Sequence, residues 1–408
     1  MKIPELLCPA GNLEKLRAAV DYGADAVYFA GSRFGMRSAA DNFTLEEIRE
    51  GARYAHDRSS KAYLAVNVMP HEDELSDLER YLKDVRDSGI DAFIAADLGV
   101  MDKMRSICPG IPVHVSTQAN VVSSGACLAY AALGAKRIVL ARELTLEEIS
   151  EIRRNLPDGI ELEVFVHGSM CISNSGRCLI SNHFCGRDAN RGMCAQPCRW
   201  EYTLTEAKHP DEPIYAEEDP VTHETFIMSS KDLCMIDHIP ELVESGVDSL
   251  KIEGRMKSAY YTAVVANTYR MALDLYRKDP SSYVPDPGWM RELESVSHRE
   301  YATGFFFDLP GENARTVTRP GYIRDKSYLA FASEPSDGEG FAEFTQKNKF
   351  SEGDCAELVT PGKCGRSFVL GKLYDENGEE IGCAPHPMMK VRTRVPFEVK
   401  KGDTLRKD

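Results

Sequence analysis

Short apolar runs recur along the first three hundred residues. Each follows a glycine and a polar residue, and before those comes a stretch with apolar positions at helical spacing. The phrase reads Tyr22-Gly-Ala-Asp-Ala-Val-Tyr-Phe-Ala30, then Ser88-Gly-Ile-Asp-Ala-Phe-Ile-Ala-Ala96. It returns as Leu133-Gly-Ala-Lys-Arg-Ile-Val-Leu-Ala141 and Ser245-Gly-Val-Asp-Ser-Leu-Lys-Ile-Glu253. A helix stopped by glycine in a left-handed cap, followed by a strand buried on both faces, gives this pattern. Eight such strands are predicted: Glu5–Cys8, Ala24–Phe29, Ala62–Asn67, Asp91–Ala96, Pro112–Ser116, Arg137–Ala141, Leu162–His167 and Asp248–Ile252. Amphipathic helices fit between most of them, including Asn12–Tyr22, Leu45–Asp57, Glu74–Ser88 and Leu146–Asn155. Asn12 and Thr44 stand at N-cap positions, and Thr44-Leu45-Glu46-Glu47 reads as a capping box. Alternating strand and helix implies right-handed crossovers, and eight parallel strands imply a TIM-like (β/α)₈ barrel. The rival, an open doubly wound sheet, lacks its Gly-x-Gly-x-x-Gly after the first strand.

About eighty residues separate the seventh and eighth strands, so a Cys-rich insertion over about 168–247 is expected there. A long helix is predicted at Ala259–Arg277. Beyond Tyr322 the pattern turns to short strands: Tyr328–Ala332, Ala342–Thr345, Cys355–Val359, Phe368–Tyr374 and Met389–Val395. Turns are predicted at Phe350-Ser-Glu-Gly-Asp and Lys400-Lys-Gly-Asp. The expected division is a barrel over 1–320 and a small β-barrel domain over 321–408.

Composition changes this picture in two respects. There is no apolar run long enough for a membrane span or a signal peptide, so a cytoplasmic protein without membrane contact is expected. In that reducing setting the twelve cysteines should not form disulfides. Seven are scattered and suit core filling, but five lie between Cys171 and Cys198. The net charge of −15 argues against broad, non-specific nucleic-acid binding. The last twenty residues depart from it: from Met389 to Asp408 seven Lys and Arg oppose three acids, 7 − 3 = +4.

Chemistry in a (β/α)₈ barrel comes from the C-terminal ends of its strands. Polar residues there include Asn67, Ser116, Gln118, Arg142, His167, Glu253 and Arg255. The strongest motif is Cys171-x₆-Cys178-x₁₅-Cys194-x₃-Cys198, beginning four residues after His167. Four thiolates suit tetrahedral zinc or a 4Fe–4S cluster. The wide first spacing, unlike the paired knuckles of structural zinc, favours the cluster. Cys185 and Cys234 are spare thiols that could replace a ligand. A second motif, Lys251-Ile-Glu-Gly-Arg-Met-Lys257, ends the eighth strand. Lys251, Arg255 and Lys257 could clamp a carboxylate or phosphate, with Glu253 beside them. Neither His-Glu-x-x-His nor Gly-x-Ser-x-Gly is present, although a cysteine nucleophile paired with His167 stays open.

Glu5-Leu-Leu-Cys-Pro-Ala-Gly-Asn12, Tyr22-Gly-Ala-Asp-Ala-Val-Tyr28, Ser175-Gly-Arg-Cys178, Arg187-Asp-Ala-Asn-Arg-Gly192 and Lys251-Ile-Glu-Gly-Arg255 resemble peptidase family U32, long called collagenase-like. Within that family the chain looks like the branch forming 5-hydroxyuridine in tRNA, and the likeness runs nearly end to end. The resemblance implies a 4Fe–4S cluster on Cys171, Cys178, Cys194 and Cys198. It also implies hydroxylation at C5 of the wobble uridine without molecular oxygen, with prephenate as co-substrate. On that reading Lys251, Arg255 and Arg142 hold the dianion, and His167 donates or accepts a proton because its ordinary pKa is near neutrality. The basic tail would grip tRNA phosphates. The partners implied are tRNA and a small anionic co-substrate; a partner subunit is neither implied nor excluded. Other branches of the family hydroxylate a ribosomal RNA base or a quinone precursor, and those remain alternatives beside a U32-type peptidase.

Overall fold

The computed structural model describes every residue except 1, 37–40, 175, 201–203, 207–208, 215–229 and 308–320. Seven strands pair in parallel, each with the next: β1 (Glu5–Pro9), β2 (Ala26–Ala30), β3 (Lys61–Ala65), β4 (Ala92–Ala95), β5 (Val113–Val115), β6 (Ala135–Val139) and β7 (Glu161–Ser169). A hairpin, β8 (Leu204–Glu206) and β9 (His209–Ile214), and then β10 (Asp232–Cys234) come before β11 (Ser249–Ile252). Strand β11 pairs in parallel with both β7 and β1 and closes the ring. All eight expected barrel strands are present, with ends within two residues of their predicted bounds.

The helices α1 (Leu13–Asp21), α2 (Leu45–His56), α3 (Leu75–Val85), α4 (Leu98–Ile107), α5 (Ser124–Ala132) and α6 (Leu146–Arg154) follow β1 to β6 in turn. The Thr44–Glu47 capping box forms as predicted, and the Asn12 side chain accepts from Lys15 N at 3.0 Å. The glycines of the recurring phrase, Gly23, Gly89, Gly134 and Gly246, all have φ between 79° and 102°, the left-handed stop that the pattern requires. Helices α7 (Ile180–Cys185) and α8 (Ile239–Glu244) lie in the long β7–β11 connection. Strand β10 was not anticipated. It runs antiparallel to the end of β7, with Cys234 opposite His167, and β12 (Tyr301–Ala302) pairs with it in parallel.

Two compact units emerge, with a boundary at 322/323 and with 21–23 and 258–297 grouped with the C-terminal unit. The first holds the barrel and 298–322; the second holds 21–23, 258–297 and 323–408. Helices α9 (Ala259–Lys278) and α10 (Pro287–Glu294) therefore belong with the C-terminal strands. A buried cation is one reason. Arg406 Nη1 and Nη2 each donate to Glu292 at 2.8 Å, and Arg406 also pairs with Glu357. Eight strands of this unit form an antiparallel sheet. Its core includes Leu329, Phe344, Leu358, Val391 and Leu405.

Inside the barrel, Leu7, Tyr28, Tyr63 and Ile94 form one apolar cluster. Charge fills the space beside it. Arg137 Nη1 donates to Glu5 Oε1 at 2.6 Å and to Glu163 Oε2 at 3.1 Å, and Nε donates to Glu161 at 2.8 Å. Glu163 Oε1 accepts from Lys251 Nζ at 2.8 Å. The carboxyls of Glu5 and Glu163 are held below the ordinary range. Burial alone would raise them, but Arg137 for Glu5, and Lys251 with Arg137 for Glu163, outweigh it. Removing one member of such a network leaves the others uncompensated, at a cost of about 3–5 kcal/mol. Arg137→Ala is expected to lose that much in urea-melt stability. A loss under ~1 kcal/mol would show that these charges do not depend on one another.

Candidate active site at the barrel mouth

The C-terminal ends of β2, β3, β5, β6, β7 and β11 surround one pocket, whose lining includes Tyr28, Asn67, Gln118, Arg142, Glu253 and Arg255. Lys251 also lines it, at the junction with the buried charges. Its ammonium sits 4.5 Å from the Tyr28 ring and 5.3 Å from that of Phe165. Arg142 lies over Phe165 at 4.4 Å, and its Nη1 donates to Ser169 O at 2.8 Å. Its Nε is buried without a hydrogen-bond partner among the described residues. Glu253 Oε2 accepts from Tyr28 Oη at 3.3 Å. Asn67 donates to Ser116 Oγ at 3.4 Å on the other side. Four of the six predicted small-molecule residues, Arg142, Lys251, Glu253 and Arg255, thus share this pocket.

His167 and Lys257 are not among its lining residues. The register between β7 and β11 slips between Lys251 and Ile252, leaving Val166 as the extra residue. Such a bulge re-aims the side chain beyond it. The His167 ring lies against Tyr301, centroids 5.3 Å apart, where Asp232, Lys257 and His298 act on its charge. Burial pushes its pKa down to about 3. Burial therefore favours the neutral imidazole. Lys257 Nζ instead stands 4.2 Å from the Tyr322 ring. Nearby, Arg299 and Asp232 form a buried pair at 2.6 Å.

The cysteine loop crosses the barrel mouth, as predicted. A Cβ on Gly176 would fall 2.1 Å from Gln118 O, and one on Gly192 would fall 2.9 Å from the Met36 carbonyl carbon, so only glycine permits either approach. Arg191 fastens the loop to the start of α3 through both carboxylate oxygens of Glu74 at 2.7 Å. The Cys198 thiol is raised, first by burial. Arg199 opposes this, while Cys171, Cys194 and Cys178 add to it. Those three are the other predicted ligands, and each acts on the charge of Cys198. The donor set therefore fits a thiolate-ligated group. Among the described residues, no three His, Cys, Asp or Glu side chains are already gathered as a metal site. Cys171 also lines a small neighbouring pocket with Met170, Ser230 and Asp232.

The basic tail is largely neutralised within its own unit, so it offers less free charge to an anionic partner than its count suggested. Lys390 pairs with Glu343, Arg392 with Asp337 and Lys401 with Glu334, and Arg406 is buried. Sequence reasoning also missed Arg137, Glu163 and Asp232. A signal existed for the first two: charged residues in the middle of parallel strands that should be buried on both faces.

The structure also sets an acid limit on stability. His114 is buried beside Tyr63, and burial, followed by Arg137, drives its pKa well below 6.5; His167 behaves alike. The unfolded chain takes up protons at both sites as pH falls through the ordinary histidine value, while the folded chain does not. Their contribution is thus complete above about pH 6.5 and falls as the pH drops. Carboxylates held low, such as Glu5 and Glu163, add acid loss only below their ordinary 4.5. Urea melts between pH 7 and 5 should lose up to ~1.4 kcal/mol per pH unit for each histidine. His114→Gln with His167→Asn should flatten that slope; an unchanged slope would place the proton uptake elsewhere.

Residues 11–316 match the model of Peptidase family U32, and residues 324–406 match that of the Peptidase family U32 C-terminal domain. Over 407 residues the chain is 39% identical to tRNA hydroxylation protein P1 of Bacillus subtilis (strain 168), spanning 100% of this chain and 95% of that protein. It is 36% identical over 435 residues to tRNA hydroxylation protein P of Escherichia coli (strain K12), spanning 97% and 95%. A protein named Collagenase from Porphyromonas gingivalis (strain ATCC BAA-308 / W83) is 31% identical over 410 residues, spanning 97% and 95%.

Proposed function

Because the chain belongs to peptidase family U32, and full-length relatives carry names for tRNA hydroxylation, we propose that it is a tRNA hydroxylase. In finer detail, the proposed reaction converts C5–H of the wobble uridine to C5–OH, with prephenate as the anionic co-substrate. The observation that carries this reading is the meeting of Arg142, Lys251 and Arg255 in one pocket beside Glu253 and near the cysteine loop.

Cys171, Cys178, Cys194 and Cys198 would hold a 4Fe–4S cluster, which when bound supplies electron-transfer or iron-centred chemistry. The protein's own residues have separable tasks. Arg255 offers a planar fork suited to a carboxylate, and Arg142 presents a buried, unused Nε. Lys251 shares its charge with Glu163 and so contributes less to a ligand. Asn67, Ser116 and Gln118 provide neutral donors and acceptors on the opposite side. Glu253, hydrogen-bonded to Tyr28, can accept a proton or orient a hydroxyl. His167, held neutral by burial outside this pocket, is given no part in it.

The test avoids Lys251, whose loss would also leave Glu163 short of a countercharge. Each charge-assisted hydrogen bond to an arginine contributes ~1.5–3 kcal/mol. Arg255→Ala and Arg142→Ala should therefore cut 5-hydroxyuridine-derived nucleosides in tRNA roughly ten- to a hundredfold in a complemented deletion strain. Visible absorption of the anaerobically purified variants should persist. Wild-type nucleoside levels from both variants would remove the assignment of this pocket. Cys178→Ala or Cys194→Ala should bleach that absorption, and protein holding zinc alone under strict anaerobiosis would overturn the cluster.

A further inference from the structure

An RNA-modifying reading raises a problem of approach, because the chain carries a net charge of −15. The C-terminal tail does not solve it, since carboxylates cover most of its cations. The cysteine loop has the opposite balance: within 171–200, Arg177, Arg187, Arg191 and Arg199 oppose Asp188 alone, 4 − 1 = +3. The Glu74 carboxylate engages Arg191, whereas Arg177 and Arg187 are exposed.

The same loop also exposes aromatic surface. Phe184, on α7, is 52% exposed and Trp200 is 46% exposed. Their ring centroids are 6.4 Å apart, and His183 stands edge-on to Phe184 at 5.2 Å. Half-exposed aromatic rings in a loop that also carries exposed arginines match what unpaired nucleic-acid bases use. A base stacks on the ring while its phosphate meets a cation, and the ring reads no particular sequence. The anchoring contacts of Gly176, Gly192 and Arg191 hold this surface at the barrel mouth.

We propose that the outer face of the cysteine loop binds the unpaired nucleotides of an RNA hairpin loop. Bases flanking the target stack on Phe184 and Trp200, and their phosphates meet Arg177 and Arg187. The proposal rests on the tRNA reading above and adds the surface that carries it out.

The test is fluorescence anisotropy with the full chain purified without oxygen. The probes are a fluorescein-labelled RNA hairpin with an unpaired loop and a fully paired RNA duplex of the same length. The wild type should prefer the hairpin. Phe184→Ala and Trp200→Ala should each weaken hairpin binding roughly fivefold or more and leave duplex binding unchanged. Trp200→Phe, which keeps a stackable ring, should restore most of the loss. Arg177→Gln combined with Arg187→Gln should weaken both probes and reduce the salt dependence. If the Phe184→Ala, Trp200→Ala double variant melts like the wild type and binds the hairpin equally well, the proposal falls and the tRNA reading stands. A wild type that binds no hairpin overturns both. If the double variant instead turns a dimer into a monomer with hairpin binding intact, the surface joins two copies and the proposal falls.

Discussion

Arg137 is a full positive charge inside a closed ring of eight strands, and the barrel is organised around satisfying it. A lone guanidinium there would cost far more than a domain's net stability. It is tolerated because Glu5, Glu161 and Glu163 approach from β1 and β7, and because Lys251 on β11 balances the surplus on Glu163. Such a network does little for stability by comparison with an apolar core of the same shape. Its consequence is geometric. A shift of one residue in β1, β6, β7 or β11 would turn a charged side chain to the other face and leave its partners unmatched.

Three of those strands also carry the site. Arg142 follows β6, the cysteine loop leaves β7, and Glu253 and Arg255 follow β11. The registry that pairs the interior charges therefore sets the heights at which these residues leave the barrel. Lys251 belongs to both systems: its amine is committed to Glu163, while its surroundings include the mouth pocket. A change in the pocket's charge would be felt in the interior network through this one side chain. The slip in the β7–β11 pairing, between Lys251 and Ile252, falls where the interior network ends and the pocket begins.

The parts of this arrangement written locally were legible in the sequence. A glycine stop followed by a polar residue and an apolar run needs no distant partner, so the strands were read to within two residues and the helices between them to within three. The cysteine spacing was legible because thiols in a loop poor in apolar residues have no core to enter. The fate of the basic tail was not. Arg406 is buried against Glu292, 114 residues earlier, and the pairing of Arg392 with Asp337 spans 55 residues. A count of charges along the chain cannot anticipate pairings at that range. The surroundings of His167 were not legible for a different reason: one extra strand residue sets it outside the pocket lining, and burial favours its neutral form.

Charge placement then separates two problems that a net value merges. Within the barrel unit, acidic and basic groups of the interior are largely engaged with one another, Lys251 alone of the network also lining the mouth pocket. Cations available at the mouth are those that strand ends and loops present, chiefly Arg142, Arg255 and the arginines of the cysteine loop. The first two line the mouth pocket, and the loop that carries the other arginines also exposes aromatic rings. A chain of strongly negative charge thus keeps cations at one end of a barrel. Elsewhere its acidic surface repels non-specific contact with nucleic acid, so selectivity for the mouth follows from where the positive charge is placed rather than from how much the chain carries.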